Sequence, residues 1–389
     1  MVLTMTPDHP DQPIRLLLVT NTLARGGAEA MLVRLALALD PAVVEPVVAC
    51  LREPGVGAEQ LAERSVPLYA RLLKHKLDLR VVARLSTLIE PHQPACVMAV
   101  GNGGDRMFWS TLAARQAGAA MMVWSHIFPM PGHLTFEWIN RRLYDCVDAF
   151  VALGERHREA LVALERVPAD RLHVIRNGIS DGAFQRTDDR GQARQLLGAS
   201  DETIVVGIVA NLRADKRHDL FIQAAARTRT ARPGCQFVII GGGPESPRVE
   251  RMVAACDPQR AFITMLGERD DVATLMRGLD IVCLTSAWQE CLSVAMLEAM
   301  AAGRAFVAPR IGSLDEALID GVTGRFVEPL TADALAEVLI ELIDRPALRR
   351  SLGEQARAKV KAEFTVERMA REFEALITGL CNRRMNDGS

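Results

Sequence analysis

Residues 281–303 read IVCLTSAWQECLSVAMLEAMAAG. The first five form an apolar run of strand length, rich in residues that suit a pleated surface. SAWQE interrupts it. From Cys291 onward the chain is apolar at almost every position, with Leu292, Val294, Ala295, Met296, Leu297, Ala299 and Met300, which predicts a buried helix opening near Cys291. Glu298 falls inside that helix, where an ionised carboxylate needs a partner. Glu290 falls at its start, where backbone N–H groups and the helix dipole attract anions. The plain alternative is structural: Glu290 favours the dipole and Glu298 meets an internal arginine.

The strand–loop–helix pattern repeats in both directions from this stretch. Before it come the apolar runs 14–20, 43–51, 96–100, 121–124, 149–153 and 172–175, with helical spacing after the first at Leu32, Leu35, Ala36 and Leu39. Residues 180–201 are polar and break the pattern. It restarts with runs at 204–209, 237–240, 262–266, 281–284 and 305–308. Continuous apolar strands alternating with helices predict parallel sheets covered on both faces. The expectation is an α/β chain of two doubly wound, Rossmann-like domains. Its divisions are 1–180, a linker region 181–201, a second domain 202–362, and 363–389 as a C-terminal helix and tail, the helix able to cross back to the first domain. Doubly wound sheets bind ligands at the carboxyl ends of their strands, so two of them predict an interdomain cleft with one substrate per domain.

At 389 residues the chain exceeds one comfortable core, which agrees with two domains. A net charge of −2 gives no reason to expect a nucleic-acid partner. The 8 cysteines are scattered without a Cys-x-x-Cys pair, which argues against a zinc site and a disulfide framework. No apolar run approaches the roughly 20 residues of a membrane span, and the first residues lack the pattern of a secretory signal. A cytoplasmic protein, on the inner face of the membrane if it meets one, is the expectation.

Several strand-end loops carry candidate chemistry. Arg213 and Lys216, in VGIVANLRADK (206–216), are placed to hold a diphosphate, the arginine through its planar fork; the alternative is two solvated charges. In IIGGGPE (239–245), Gly242, Gly243 and Glu245 follow a strand, and such a turn lets backbone approach a nucleotide or is merely tight. Gly26 and Gly27 precede a helix N-terminus that favours a phosphate, unless the loop simply needed permissive dihedrals. His126, in Trp124-Ser125-His126, is a polar group at a strand end or a satisfied loop histidine.

In this order and spacing the pieces resemble the retaining glycosyltransferases of family four, which have the GT-B fold. The resemblance covers nearly the whole chain. It rests most specifically on Glu290 and Glu298 with seven residues between them, followed by AMAAG. Supporting segments are GGAE (26–29), His126, VIRNGI (174–179), the Lys216 loop, GGGPE (241–245), LGERDDV (266–272) and IGSLDEALIDGVTGRFVEP (311–329). The resemblance implies that Glu298 bonds the nucleotide ribose and that Glu290 holds hydroxyls of the donor sugar. It further implies that Arg213 and Lys216 neutralise the leaving diphosphate, that His126 lies near the transferred sugar, and that Gly26 and Gly27 face the donor phosphate or the acceptor. Backbone N–H groups of Leu292 and Ser293 add donors, beside Cys291. Two departures stand out: Ala210-Asn211-Leu212 replaces the common Gly-Arg-Leu, with the arginine two residues later as Arg213, and Cys291 replaces a Gly or Pro after the first glutamate.

The implied activity is transfer of a sugar from a nucleoside-diphosphate sugar, UDP before GDP, to a glycan or lipid-linked acceptor with retention of configuration, in cell-surface polysaccharide or glycolipid synthesis. No cofactor is expected. The chain has no Asp-x-Asp, and two cations with a helix N-terminus supply the positive potential that a metal gives other transferases. The rivals on the same architecture are a nucleotide-sugar 2-epimerase and a non-catalytic nucleotide-sugar-binding scaffold. A dehydrogenase is disfavoured because neither glycine loop has the dinucleotide fingerprint. Within residues 64–85, Arg64, Arg71, Lys74, Lys76, Arg80 and Arg84 interleave with leucines and valines, which suggests peripheral contact with anionic lipid; the alternative is a solvated helix face over a core face.

Overall fold

The computed structural model describes residues 12–75, 78–101, 103–129, 142–180, 190–288 and 290–387. The chain divides into two compact units, residues 1–178 with 366–389, and residues 179–365. Each is a parallel sheet with its own core, as the uninterrupted apolar runs require.

The first unit holds seven strands: β1 (Ile14–Thr20), β2 (Val44–Cys50), β3 (Leu68–Tyr69), β4 (Cys96–Val100), β5 (Ala120–Trp124), β6 (Ala149–Ala152) and β7 (Leu172–Val174). Their order is β3-β2-β1-β4-β5-β6-β7, and every pair is parallel. The second unit holds β8 (Ile204–Val209), β9 (Cys235–Ile240), β10 (Ile263–Gly267), β11 (Ile281–Cys283), β12 (Ala305–Pro309) and β13 (Arg325–Val327), in the order β10-β9-β8-β11-β12-β13, also all parallel. In both sheets the strand order reverses beside the first strand, between β1 and β4 and between β8 and β11. Loops leave such a switch point in opposite directions and open a crevice at the carboxyl edge. The strands β3 and β13, two and three residues long, carry too little periodicity to announce themselves in the sequence.

The final helix, Val366–Asp387, belongs to the first unit. Met369, Ala370, Phe373, Ile377, Leu380 and Cys381 are buried at helical spacing. Phe373 packs edge-on against Trp124 at 4.9 Å, and Arg384 pairs with Asp148 at 3.0 Å.

Three expectations need correction. The region taken as linker contains a helix, Arg190–Leu196, within the second unit. Arg190 and Arg194 both pair with Asp280, at 3.0 and 2.8 Å, and Asp280 also accepts from the Val205 N–H. The polar residues there are the partners of one buried carboxylate. Residues 181–189 of the expected linker lie outside the described residues. The helix expected from Cys291 begins at Val294, with Ser293 as its cap accepting from the Met296 N–H at 3.3 Å. Nor is it buried all round: Val294, Ala295 and Glu298 are half-buried on one face, while Met296, Leu297, Ala299, Met300 and Ala301 are buried. Glu298 therefore sits on the less covered side.

The basic stretch 64–85 is not one helix face. It comprises β3, a loop, and the start of a helix at Arg80. Leu72, Leu73, Val81 and Leu85 turn into the core, while Leu79 is 76% exposed. Arg71 pairs with Glu53, and Arg84 with Asp78. Lys76 and Leu77 lie outside the described residues. Among the described residues no helix is long and apolar enough to cross a membrane.

Candidate functional site

The candidate residues fall at the carboxyl edges of the two sheets. In the second unit, Lys216 closes a short turn, Ala214–Lys216, that follows β8, and Glu290 follows β11. These are the two strands at the switch point. Lys216 Nζ meets Glu290 Oε1, and Ser286 Oγ donates to the same oxygen at 2.7 Å. Glu290 is 6% exposed, so its charge depends on these partners. The two loops are also tied through backbone. Thr285 Oγ1 donates to the Lys216 carbonyl at 2.7 Å, and the Ala287 N–H to the Asp215 carbonyl at 2.9 Å. Arg213 is 53% exposed and is steered by buried Asp215, whose carboxylate accepts from its Nε at 3.0 Å.

Glu290 is held from behind by the loop after β12. Gly312 has φ +54°, and a Cβ there would lie 1.6 Å from the Glu290 carbonyl oxygen. The Ser313 N–H donates to the Cys291 carbonyl at 2.9 Å. The glycine in IGSLDE is thus a close-approach glycine that lets the two loops touch.

The glycine loop after β9 works in the same way. A Cβ on Gly241 would meet the Ala210 carbonyl at 2.0 Å, and one on Gly243 the Leu212 carbonyl at 2.6 Å, both at positive φ. Leu212 N–H donates to the Gly242 carbonyl at 2.8 Å, and Glu245 N–H to the Leu212 carbonyl at 2.9 Å. The first duty of these glycines is to lay one strand-end loop on the other. Glu245 pairs with Arg248 at 3.2 Å. It lines a shallow depression with Arg213, Arg217, His218, Asp219 and Arg248. His218 is 3% exposed, and neither ring nitrogen has a hydrogen-bond partner among the described residues. Burial first, then the charge of Lys216, pushes its pKa down to about 4. Cys291, Leu292 and Ser293 are buried between Glu290 and the helix that carries Glu298.

In the first unit, Gly26 caps helix Gly27–Ala38 in extended geometry, and the Glu29 carboxylate folds back over it, 2.2 Å from where a Cβ would stand. Gly27 is exposed at the first helical position. His126 follows β5 and tilts against the Trp124 ring at 4.4 Å. Its buried Nε2 has no partner among the described residues. Burial, reinforced by His157 and Arg106, pushes its pKa down to about 3, so the ring is neutral at pH 7.

Four residues at these edges were not singled out from sequence: Ser286, Asp215, His157 and Arg106. Arg106 Nη1 donates to the Val100 carbonyl at 3.1 Å, and its guanidinium lies against Gly101, which has φ +105°. Burial lowers its pKa, with Glu29 and Asp105 opposing. The sequence carries a signal for Arg106 in GNGGD (101–105), with three glycines in the five residues after β4. The others are common residue types with no motif around them.

Two family models match in succession, Glycosyltransferase Family 4 over residues 25–182 and Glycosyl transferases group 1 over residues 189–359. The chain belongs to the family-four glycosyltransferases. Alpha-D-kanosaminyltransferase of Streptomyces kanamyceticus is 27% identical over 68% of this chain and 71% of its own length. Lipopolysaccharide 1,2-N-acetylglucosaminetransferase of Salmonella typhimurium is 26% identical over 54% of this chain and 57% of its own. A GDP-mannose-dependent mannosyltransferase of Corynebacterium glutamicum acting on a phosphatidylinositol monomannoside is 31% identical over 47% and 49%. The chain thus spans about half the length of the second and third. Among solved structures, Anabaena HepE in complex with UDP-glucose superimposes with a TM-score of 0.83 at 19% identity, covering 94% of this chain and 100% of HepE. WaaG, a glycosyltransferase involved in lipopolysaccharide biosynthesis, does so with 0.72 at 15%, covering 94% and 100%. At these identities the likeness is one of fold, and the fold of this family-four chain is GT-B.

Proposed function

We propose that this glycosyltransferase moves a sugar from a nucleoside-diphosphate sugar, UDP before GDP, to a hydroxyl of a glycan or lipid-linked acceptor, with retention and without a bound metal. The observation that carries the reading is the Lys216–Glu290–Ser286 cluster at the β8/β11 switch point. A half-buried cation beside a buried carboxylate offers a diphosphate a positive charge and sugar hydroxyls an acceptor at one place. The printed names of relatives and neighbours, with UDP, UDP-glucose, lipopolysaccharide and a phosphatidylinositol glycoside among them, support the donor and acceptor classes.

In this reading Lys216 and Arg213 stabilise charge developing on the leaving β-phosphate, the kind of contact whose removal lowers kcat by about 10²–10³. Glu298, on the less covered face of its helix, takes the ribose hydroxyls. Glu290 and Ser286 take hydroxyls of the sugar, and neutral His126 keeps the sugar-facing role that the family resemblance implies for it. The bond from the sugar's anomeric carbon to the β-phosphate oxygen breaks, and the acceptor oxygen bonds to that carbon from the same face. The acceptor proton passes to the departing phosphate oxygen, so no protein base is required.

The test is incubation of the chain with UDP- and GDP-sugars and a panel of glycan and glycolipid acceptors, with proton NMR of the product. Transfer with the anomeric configuration of the donor supports the reading. Inverted product refutes retention, epimerised donor without transfer favours the epimerase, and unchanged donors refute the activity.

A further inference from the structure

His157 lies in helix Glu155–Ala160, directly after β6, and is completely buried. Its Nδ1 accepts from the Leu153 N–H at 3.1 Å. A ring nitrogen that accepts carries no proton, so the proton of the neutral imidazole stands on Nε2. From there it faces the Ile127 carbonyl at 3.1 Å and Ser125 Oγ at 3.3 Å. Ser125 and Ile127 are the residues on either side of His126. The next residue, Phe128, stacks on the same ring at 5.8 Å. The Ser125 N–H donates to the Val151 carbonyl at 2.9 Å, continuing the β5–β6 ladder by one bond. Beyond Ser125 the chain has left that ladder, and the imidazole of His157 stands where the next rung would be.

We propose that His157 is a positioning residue for sugar transfer: its ring bridges the end of β6 to the exit of β5 and thereby sets the orientation in which His126 meets the sugar. The inference rests on the reading of His126 given above. A histidine suits the task because it accepts on one side and donates on the other across a rigid five-membered ring. Burial pushes its pKa down to about 4, which keeps that pattern at neutral pH. Misplacing a contact group by about 1 Å lowers turnover by as much as 10²-fold, so an indirect residue at this place has leverage on the reaction.

Two substitutions separate positioning from simple packing. His157→Gln places an amide N–H near the position of Nε2 and keeps the bond to Ile127, losing the acceptor for Leu153. His157→Asn places an amide oxygen near Nδ1 and keeps the bond from Leu153, but falls short of Ile127. Both bury an amide in place of the ring, so packing alone predicts similar losses. The full chain of each would be examined by histidine-ring NMR, with His126→Gln identifying the His126 resonance, and by kcat and KM for transfer. The expectation is a displaced His126 resonance and a kcat lowered about tenfold or more in His157→Asn, with donor KM within about twofold. His157→Gln keeps both near wild type. Ser125→Ala, which removes the ring's longer contact, moves the His126 resonance less than His157→Asn and serves as the gentler variant. A His126 resonance unmoved in His157→Asn and Ser125→Ala, or equal losses in Asn and Gln that track their folded fraction, would overturn the proposal. The ring spectrum reads the clamp whether or not sugar is transferred, so absent turnover in wild type defeats the proposed function, whereas an unmoved resonance defeats the clamp.

Discussion

Lys216 and Glu290 each bring a charge into a poorly solvated crevice, and each is the other's partner. Removing one from a fully buried pair costs about 3–5 kcal/mol; here Lys216 is half-buried and Ser286 still donates to Glu290, so the cost falls at or below the low end. Lys216→Ala should therefore lower stability by up to about 3 kcal/mol and lower turnover by about 10²–10³. Glu290→Gln, which keeps a hydrogen-bonding amide beside Ser286, should lower stability less. Urea unfolding of both variants, with transfer assays, checks the pair. Equal stability of Lys216→Ala and wild type would show that the contact is not a buried pair in solution. His218 makes the opposite case. Its ring nitrogens are buried without partners among the described residues, and an apolar isostere relieves such a cost. His218→Leu should leave stability unchanged or raise it by about 1 kcal/mol, read by the same unfolding curves.

At the scale of elements, the crevice of the second unit is built by loops that lean on one another through glycines. Gly312 is the sharpest case, because an added Cβ collides with backbone, not with a side chain that can turn aside. Gly312→Ala should lower stability by roughly 1–3 kcal/mol and shift Glu290 as well, so that donor affinity falls with it. Thermal unfolding and donor titration on the same sample check both effects; loss of stability with unchanged affinity would separate the loop from the site. Most strands were legible in the sequence because a parallel sheet buried on both faces demands unbroken apolar runs, as in IRLLLVT and IVVGIV. Cys291 and Leu292 look helical because they are apolar, yet the helix starts at Val294 with Ser293 as its cap, and the Cys291 carbonyl is taken by the Ser313 N–H. The apparent linker was misread because Arg190 and Arg194 look solvated until Asp280, some ninety residues away, is brought beside them. The family resemblance singles out Glu290, Lys216, Glu298 and His126 as candidates, and the structure sets Lys216 beside Glu290. The sequence gives no sign of Ser286 or His157, because their contacts are made with residues brought close only by the fold.

At the scale of the whole molecule, His126, His157 and His218 are all held neutral by burial, with pKa values near 3, 4 and 4. An unfolded chain protonates the same residues near 6.5. Between those values the unfolded state binds more protons, so stability rises with pH there. The stabilisation is complete above about pH 6.5 and is lost as pH falls toward 4, at about 1.4 kcal/mol per unit for each histidine. The melting temperature should therefore drop steeply between pH 6.5 and 4, and the slope should be shallower in His218→Leu. A flat profile in that window would contradict the burial of these rings.

The most direct test of the central claim is calorimetric titration of UDP and UDP-glucose into wild type, Lys216→Ala and Glu298→Ala. Wild type should show one site, with affinity weakened at least about tenfold in each variant, about 1.4 kcal/mol or more. Equal affinity in all three proteins would place the nucleotide elsewhere and contradict the assignment of the β8/β11 crevice as the donor site.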